Sequence, residues 1–198
     1  MPLSDGGFNV LANPAGTRVY VTTASGVVHV VDAGTRQVLA RVPVGAAANG
    51  LALDSAVGRL YVSSIRAGTV TALNTSADAV VRTYPVSPSP QRLALAPDGR
   101  TLWVATEAVG LEALDLTTGD RTPVAGVSPG AVGLALSPDG TRLYVTNPPF
   151  GLVQIVDAAS RRVLKTLAGL TSPRNVAFGL RGAAALLTGE RGVVYVIR

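Results

Sequence analysis

Short apolar runs, each interrupted within a few residues by Gly, Pro, Asp, Thr or Arg, recur along the whole chain. Many of them alternate apolar and polar residues with a period of two. No window keeps the 3.6-residue period of an amphipathic helix over a helical length. The stretch 136–147, LSPDGTRLYVTN, shows the form: an apolar run, a Pro-Asp-Gly turn and a strand that carries an aromatic residue. The pattern predicts an all-β chain.

This pattern repeats at a nearly constant period. An aromatic marker, degenerate in its last copy, recurs at spacings of 41, 42, 41 and 42: Tyr20, Tyr61, Trp103, Tyr144 and Leu186. An Asp or Asn that closes a later apolar run recurs at spacings of 42, 41 and 42: Asp32, Asn74, Asp115 and Asp157. Each unit divides into four short strands. Repeated four-stranded antiparallel units of about 40 residues predict a β-propeller, whose small sheets pack against one another.

The chain resembles the YVTN-type β-propeller repeat family. Residues 137–178 read SPDGTRLYVTNPPFGLVQIVDAASRRVLKTLAGLTSPRNVAF, and 144–147 match the family's name motif fully. Residues 20–23, 61–64 and 103–106 match it in part, so that the resemblance covers essentially the whole chain. It implies a propeller of the kind found in surface-layer, periplasmic and lactonase-like proteins, and therefore a periplasmic or cell-surface location. The family's propellers usually have more blades than this chain supplies.

The length of 198 residues predicts one propeller domain over 1–198, with about five blades. The repeat units lie roughly at 8–48, 49–90, 91–131, 132–173 and 174–198. Four blades are complete, and the fifth ends after its third strand. Residues 1–3 register with the end of a fourth strand, so we expect them to help close the fifth blade of a ring. The alternative is an open arc, or a piece of a larger propeller, that forms a homodimer through unpaired blade edges.

Composition narrows the classes of partner. The chain has no cysteine, which excludes disulfides and cysteine zinc sites. Its net charge of +5 slightly favours an anionic partner. The basic residues are scattered, without a cluster or interleaved stacking aromatics, which argues against nucleic acid. No apolar run approaches the roughly 20 residues that span a membrane. The start lacks the pattern of a secretory signal, so the sequence leaves the compartment open.

Polar residues at the start of the innermost strands are the candidate ligand-binding residues. In a propeller these positions surround the mouth of the central channel. They are Asn9, Asn49, Gln91, Arg92, Arg174 and Asn175. Such a rim suits an anionic ligand or one that contains a carbonyl group, or a small polar ligand in general. The alternative is that these groups only solvate the mouth of the channel.

A metal site or a catalytic site has weaker support. The loops between second and third strands offer Glu107, Asn147 and Glu190, fewer than the six or more oxygen ligands that Ca²⁺ takes. The sequence has no nucleophile elbow, phosphate loop or paired-histidine motif, and we predict no catalytic residue and no cofactor. The only histidine, His29, occupies a position that is Thr, Glu or Gln in the next three units, which indicates a structural role.

Together these observations predict a non-catalytic scaffold that presents loops to a protein or a small polar ligand. The irregular turn 147–150, NPPF, is one candidate contact. One alternative is a lactonase-like hydrolase acting at the central channel, which the family resemblance and the rim arginines Arg92 and Arg174 favour. The other alternative is an architectural part of a larger surface or periplasmic propeller protein.

Overall fold

The structure, a computed structural model, describes residues 5–179 and 184–197. They form strands β1–β19 and two 3₁₀ turns, Pro148–Phe150 and Glu190–Gly192. The strands make five antiparallel sheets, four with four strands and one with three, and each sheet takes consecutive strands in chain order. Within the described residues, no helix is long and apolar enough to cross a membrane.

The five sheets are the blades, numbered here in chain order. Blade 1 comprises β1 (Gly7–Ala12), β2 (Arg18–Thr23), β3 (Val27–Asp32) and β4 (Val38–Pro43). Blade 2 comprises β5 (Ala48–Asp54), β6 (Arg59–Ser64), β7 (Thr69–Asn74) and β8 (Ala79–Pro85). Blade 3 comprises β9 (Pro90–Leu95), β10 (Thr101–Thr106), β11 (Gly110–Asp115) and β12 (Arg121–Pro123). Blade 4 comprises β13 (Gly133–Leu136), β14 (Arg142–Asn147), β15 (Leu152–Asp157) and β16 (Val163–Leu167). Blade 5 comprises β17 (Pro173–Phe178), β18 (Ala185–Gly189) and β19 (Val194–Ile197).

This architecture confirms the predicted all-β propeller of about five blades, four complete and the fifth three-stranded. Residues 1–3, the predicted closing segment, lie outside the described residues. The chain consists of two compact units, residues 1–93 and 94–198, and the boundary between them falls inside β9.

Within each unit, consecutive blades pack face to face. We call the face that carries the aromatic marker the forward face of a blade, and the opposite face its rear face. In the first unit, Tyr20, Val28 and Val30 of blade 1 form one buried core with Leu60 and Val62 of blade 2. The forward face of blade 1 therefore covers the rear face of blade 2.

The second unit repeats this packing twice. Trp103 and Leu111 of blade 3 share a core with Leu143 and Val145 of blade 4. Tyr144 and Ile155 of blade 4 then share a core with Ala185 and Leu187 of blade 5. The Tyr144 ring meets the Phe178 ring edge to face, with centroids 5.2 Å apart. A blade buries apolar residues on both faces only with a neighbour on each side, and this explains why its strands are apolar at most positions.

A buried hydroxyl links neighbouring blades at the third position of the YVT motif. Its oxygen accepts a hydrogen bond from a backbone N–H of the first strand in its own blade. It also donates to a carbonyl of the next blade: Thr22 to Asn49 (2.9 Å), Ser63 to Gln91 (2.6 Å) and Thr146 to Arg174 (2.8 Å). The N–H donors are those of Asn9 (3.2 Å), Gly50 (2.7 Å) and Gly133 (2.8 Å). This position therefore fixes the spacing of the first strands.

Glycine is required where these first strands approach most closely. A Cβ at Gly133 would overlap the Arg174 carbonyl oxygen, and a Cβ at Gly50 would overlap the Gln91 carbonyl oxygen. No side chain fits at either position without separating the two blades.

The recurrent Asp or Asn at the end of the third strand in blades 1 to 4 forms a turn with the residues that follow it. The Asp32 carboxylate accepts from the Thr35 N–H, and Asp157 accepts from both the N–H and the hydroxyl of Ser160. Asn74 uses its amide oxygen for the same purpose, toward the N–H of Ser76. Hydrogen bonds from these hydroxyls and N–H groups hold the pKa values of Asp32 and Asp157 below the ordinary value for Asp.

Replacing Thr146 by Val tests the hydroxyl link between blades 4 and 5. The Thr146→Val variant leaves the buried Gly133 N–H and Arg174 carbonyl without this partner. We expect a loss of about 1–3 kcal/mol in the free energy of unfolding, measured by urea denaturation. Thr122→Val, on the exposed strand β12, is the control and is expected to change stability by under about 0.5 kcal/mol. Equal effects of the two variants would contradict the assigned role of the hydroxyl.

Acid sensitivity tests the turn carboxylates, because an Asp with a lowered folded pKa stabilises the fold only while it is ionised. That contribution is complete above the unfolded pKa of about 4 and is lost as the pH falls through the lower folded value. Asp157→Asn keeps the acceptor oxygen but does not titrate, so its melting temperature should fall less than the parent's between pH 5 and pH 2. Asn74→Asp, the reciprocal change in the same position of the repeat, should make that fall steeper. Identical pH profiles for both variants and the parent would exclude this contribution.

Candidate functional site

Four of the six predicted rim residues meet in one hydrogen-bonded network in the first unit. The Asn9 side-chain amide donates to the Asn49 amide oxygen, and the Asn49 amide donates to the Gln91 amide oxygen at 2.6 Å. The Arg92 guanidinium donates to the Asn9 amide oxygen. The first strands of three consecutive blades are therefore connected through side chains that lie 40 or more positions apart in sequence.

Burial shapes the electrostatics of this network. Gln91 is buried and Arg92 is half-buried, and desolvation lowers the pKa of the Arg92 guanidinium. The amide groups satisfy one another, so a ligand at this network would have to replace hydrogen bonds that already exist. A small polar or anionic ligand at these four residues remains a prediction.

The other two predicted rim residues, Arg174 and Asn175, lie on β17 in the second unit. The Nε and Nη2 atoms of Arg174 donate to one carboxylate oxygen of Glu190 at 2.8 and 2.6 Å. Both side chains are about half exposed, so the pair lies at the surface and contributes little to stability. Glu190 begins the second 3₁₀ turn, directly after β18.

This ion pair borders a cleft of about 380 Å³. The residues that line the cleft come from loops and strand ends of blades 3, 4 and 5: Glu107, Gly130, Val132, Pro148, Pro149, Ser172, Arg174 and Glu190. Two carboxylates and one guanidinium thus surround one concave surface, although the sequence alone places them 16 to 83 positions apart. An added group in this cleft could contact several charged side chains at once.

Asn147 lies directly behind the cleft and is 1% exposed. Its amide nitrogen donates to the carbonyl oxygens of Ser128 and Pro129. Its amide oxygen is buried near Gly130 and has no hydrogen-bond donor within the described part of the chain. Asn147 therefore anchors the connection into blade 4, and this accounts for the last position of the YVTN motif in this blade.

The three weak metal candidates are brought to the same region but not into a ligand cluster. Glu107 and Glu190 line the cleft, and Asn147 packs behind it. Among residues 5–179 and 184–197, no group of three or more His, Cys, Asp or Glu side chains has a spacing suited to a metal ion. The sequence predicts no metal site and offers these three residues only as weak candidates, and the structure does not test that prediction.

An exposed aromatic residue stands beside the cleft. The turn Pro148–Phe150 begins with two prolines, and its Phe150 side chain is 65% exposed. Gly151 ends the turn with a left-handed φ of 61°, where a Cβ would also press against the Leu170 carbonyl oxygen. Prolines at one end and a glycine with a left-handed φ at the other restrict the backbone of the turn that carries the phenyl ring.

His29 contacts the segment that precedes blade 1 and has a structural role there. Its Nε2 atom lies 3.3 Å from the Asp5 carboxylate, at the segment that leads into blade 1. The equivalent residue of blade 2, Thr71, donates to the Val44 carbonyl, and that of blade 4, Gln154, donates to the Gly126 carbonyl. This position therefore fastens the incoming connection of a blade. The sequence signalled it by keeping a polar residue there in an otherwise apolar strand.

Comparison with solved structures shows the fold. The chain is similar to Kuenenia stuttgartiensis Hydrazine Synthase with a TM-score of 0.86 and 22% identity, over 95% of this chain and 57% of that one. It is also similar to the Myceliophteria thermophila Cps50 (Swd1) beta-propeller domain with a TM-score of 0.84 and 14% identity, over 98% of this chain and 66% of that one. The chain thus spans less than two thirds of each of these structures.

No protein-family model matches the chain, and no curated protein matches it in sequence. The likeness to solved structures is below 25% identity and therefore concerns the fold alone. The chain is a β-propeller with a WD40-like fold, and the YVTN-type resemblance remains an interpretation of its motifs.

Proposed function

We propose that this protein is a non-catalytic binding scaffold that recruits a peptide segment of a partner protein through the cleft and the Phe150 turn of its second unit. The observation that carries this proposal is the 65% exposed Phe150 side chain, on a turn that begins with two prolines and adjoins a cleft with charged walls. An apolar anchor beside a polar rim is typical of protein interfaces.

The Phe150 turn suits binding because two prolines and a left-handed glycine restrict its backbone. A turn whose backbone is restricted before binding loses less conformational entropy when a partner covers it. Aromatic residues also give a large apolar contact area for few rotatable bonds. The phenyl ring would therefore contribute apolar contact at low entropic cost.

The charges of the cleft favour a partner segment with a basic side chain. Glu107 and Glu190 contribute two carboxylates, against the single guanidinium of Arg174. A Lys or Arg of the partner could pair with Glu190 and Glu107 while a carbonyl of the segment accepts from Arg174. The volume of about 380 Å³ accommodates one such side chain rather than a folded domain.

Selection of peptides from a displayed library against the intact chain tests the proposal. Enriched peptides should combine an apolar or aromatic residue with a basic one. Phe150→Ala should weaken their binding at least tenfold, measured by fluorescence anisotropy, which corresponds to about 1.4 kcal/mol or more. Glu190→Gln should weaken binding less, and mainly at low salt.

Val57→Ala is the matched control, because Val57 is 61% exposed and does not line the cleft. It should leave the affinity unchanged. Binding that is insensitive to Phe150→Ala, with an unaltered circular dichroism spectrum, would exclude this surface. Enrichment of acidic peptides would instead favour the anionic ligand predicted for the rim. A folded protein that selects no peptide would favour the architectural alternative.

The lactonase-like alternative predicts that the chain hydrolyses lactones, whereas the scaffold proposal predicts that it does not. We expect no turnover of a panel of sugar lactones by the intact chain, with or without added Ca²⁺, Mg²⁺ or Zn²⁺. Product formation followed by pH-stat titration is the measurement. Turnover that is lost in Glu107→Gln or Arg174→Ala would contradict a non-catalytic scaffold.

A further inference from the structure

The forward face of blade 5 is apolar and exposed. Its β18 and β19 residues Leu186, Val194 and Val196 are 39%, 61% and 55% exposed. In the strand register Leu186 lies opposite Val196, and Thr188 lies opposite Val194. The three apolar side chains therefore form one patch on a single face of the sheet.

The same positions are buried in every preceding blade. Val194 corresponds to Val28, Val70, Leu111 and Val153, all 0% exposed. Val196 corresponds to Val30, Ala72, Ala113 and Ile155, which are between 1% and 6% exposed. In blades 1, 3 and 4 the corresponding residues lie under the next blade.

A complementary face is exposed on blade 1. On β1, Phe8 and Val10 are 54% and 68% exposed. By strand register, Val10 corresponds to Leu51 of blade 2, Leu134 of blade 4 and Val176 of blade 5. Each of these three packs into the core formed with the forward face of the preceding blade. The rear face of blade 1 therefore carries the kind of apolar side chains that pack against a forward face in the other blades.

We propose that the forward face of blade 5 binds the rear face of blade 1 of a second copy of this chain. The chain itself shows the contact three times, between blades 1 and 2, 3 and 4, and 4 and 5. The second copy would contribute Phe8 and Val10 of its β1, and Val10 is equivalent to residues that already pack on a forward face within the chain. The proposed interface therefore has the same type of contact as the interfaces between blades. Burying both patches removes apolar side chains from water, which drives association.

This contact joins two different surfaces, so it is a head-to-tail interface. Two copies close into a symmetric pair when both contacts form at once, and otherwise copies add in a row. The interface uses sheet faces rather than the blade edges predicted from the sequence. It is independent of the Phe150 turn and of the peptide binding proposed there.

Cross-linking with introduced cysteines tests the proposal directly, because the natural chain has none. Val10→Cys and Val194→Cys are made as separate proteins and mixed with a short bismaleimide. The mixture should form a covalent heterodimer at least tenfold more than either protein alone, as measured by denaturing electrophoresis. Val57→Cys replaces Val10→Cys as the control, with similar exposure in the same unit, and should not cross-link.

Light scattering after size exclusion measures the assembly itself. The parent chain should have a mass of two copies or more at micromolar concentration, and Val194→Lys/Val196→Lys should have the mass of one. Val80→Lys/Val81→Lys is the matched control, since these residues are 48% and 51% exposed on the outer strand β8 of blade 2, and it should not change the mass. Circular dichroism confirms that each variant is folded.

Two results would overturn the proposal. One is a parent chain that stays a single copy up to the highest soluble concentration. The other is a double variant, Val10→Cys/Val194→Cys, that forms only an intrachain cross-link, because the occupant of the patch would then be the chain's own first blade. Neither result bears on peptide binding at Phe150, so the two proposals can fail separately.

Discussion

The packing of one small sheet face on the next is the interaction on which this structure depends. A blade of three or four short strands has apolar side chains on both faces and cannot bury them alone. The forward face of each blade covers the rear face of the blade that follows within the same unit, with residues such as Tyr20 and Tyr144 at the centre of the contact. The sequence repeats because each unit has to provide the same two apolar faces for that contact.

Polar groups determine the distance between neighbouring sheets, which the apolar contact alone does not determine. Apolar burial is not directional, so by itself it does not define how closely two sheets approach. The buried hydroxyls of Thr22, Ser63 and Thr146 bond to a carbonyl of the next blade and determine that distance. Glycine at 50 and 133 is then required, because the first strands lie too close for a Cβ.

Polar residues on the strands and polar residues in the loops have different roles in this fold. Polar residues on the strands, such as His29 and Gln154, fasten the connections between blades and are used within the fold. Polar residues in the loops are less constrained by packing, and in the second unit they form a cleft beside an exposed phenyl ring. Binding surfaces commonly lie on loops that a rigid framework holds in place.

Several features could be predicted from the sequence, because they depend on neighbours along the chain. Alternation of apolar residues defines a strand, and the Asp or Asn after a third strand bonds to N–H groups two or three positions later. The number of strands, their order and the turns follow from such local rules. The aromatic marker also identified the forward face of each blade, since residues two apart in a strand share a face.

The repeat predicted that Asn9 and Asn49 lie at the same rim, but the tertiary structure alone decided which distant side chains bond to one another. Asn9 and Asn49 are 40 positions apart, and Arg174 and Glu190 are 16 apart, and no local pattern indicates that they are hydrogen-bonded. Their pairing depends on how sheets stack and how loops fold over them, which many residues determine together. Exposure has the same origin: Val194 and Val153 occupy equivalent positions of the repeat, yet only Val153 lies under another sheet. A sequence records which residues are apolar, whereas the presence of a neighbouring surface decides whether they are buried.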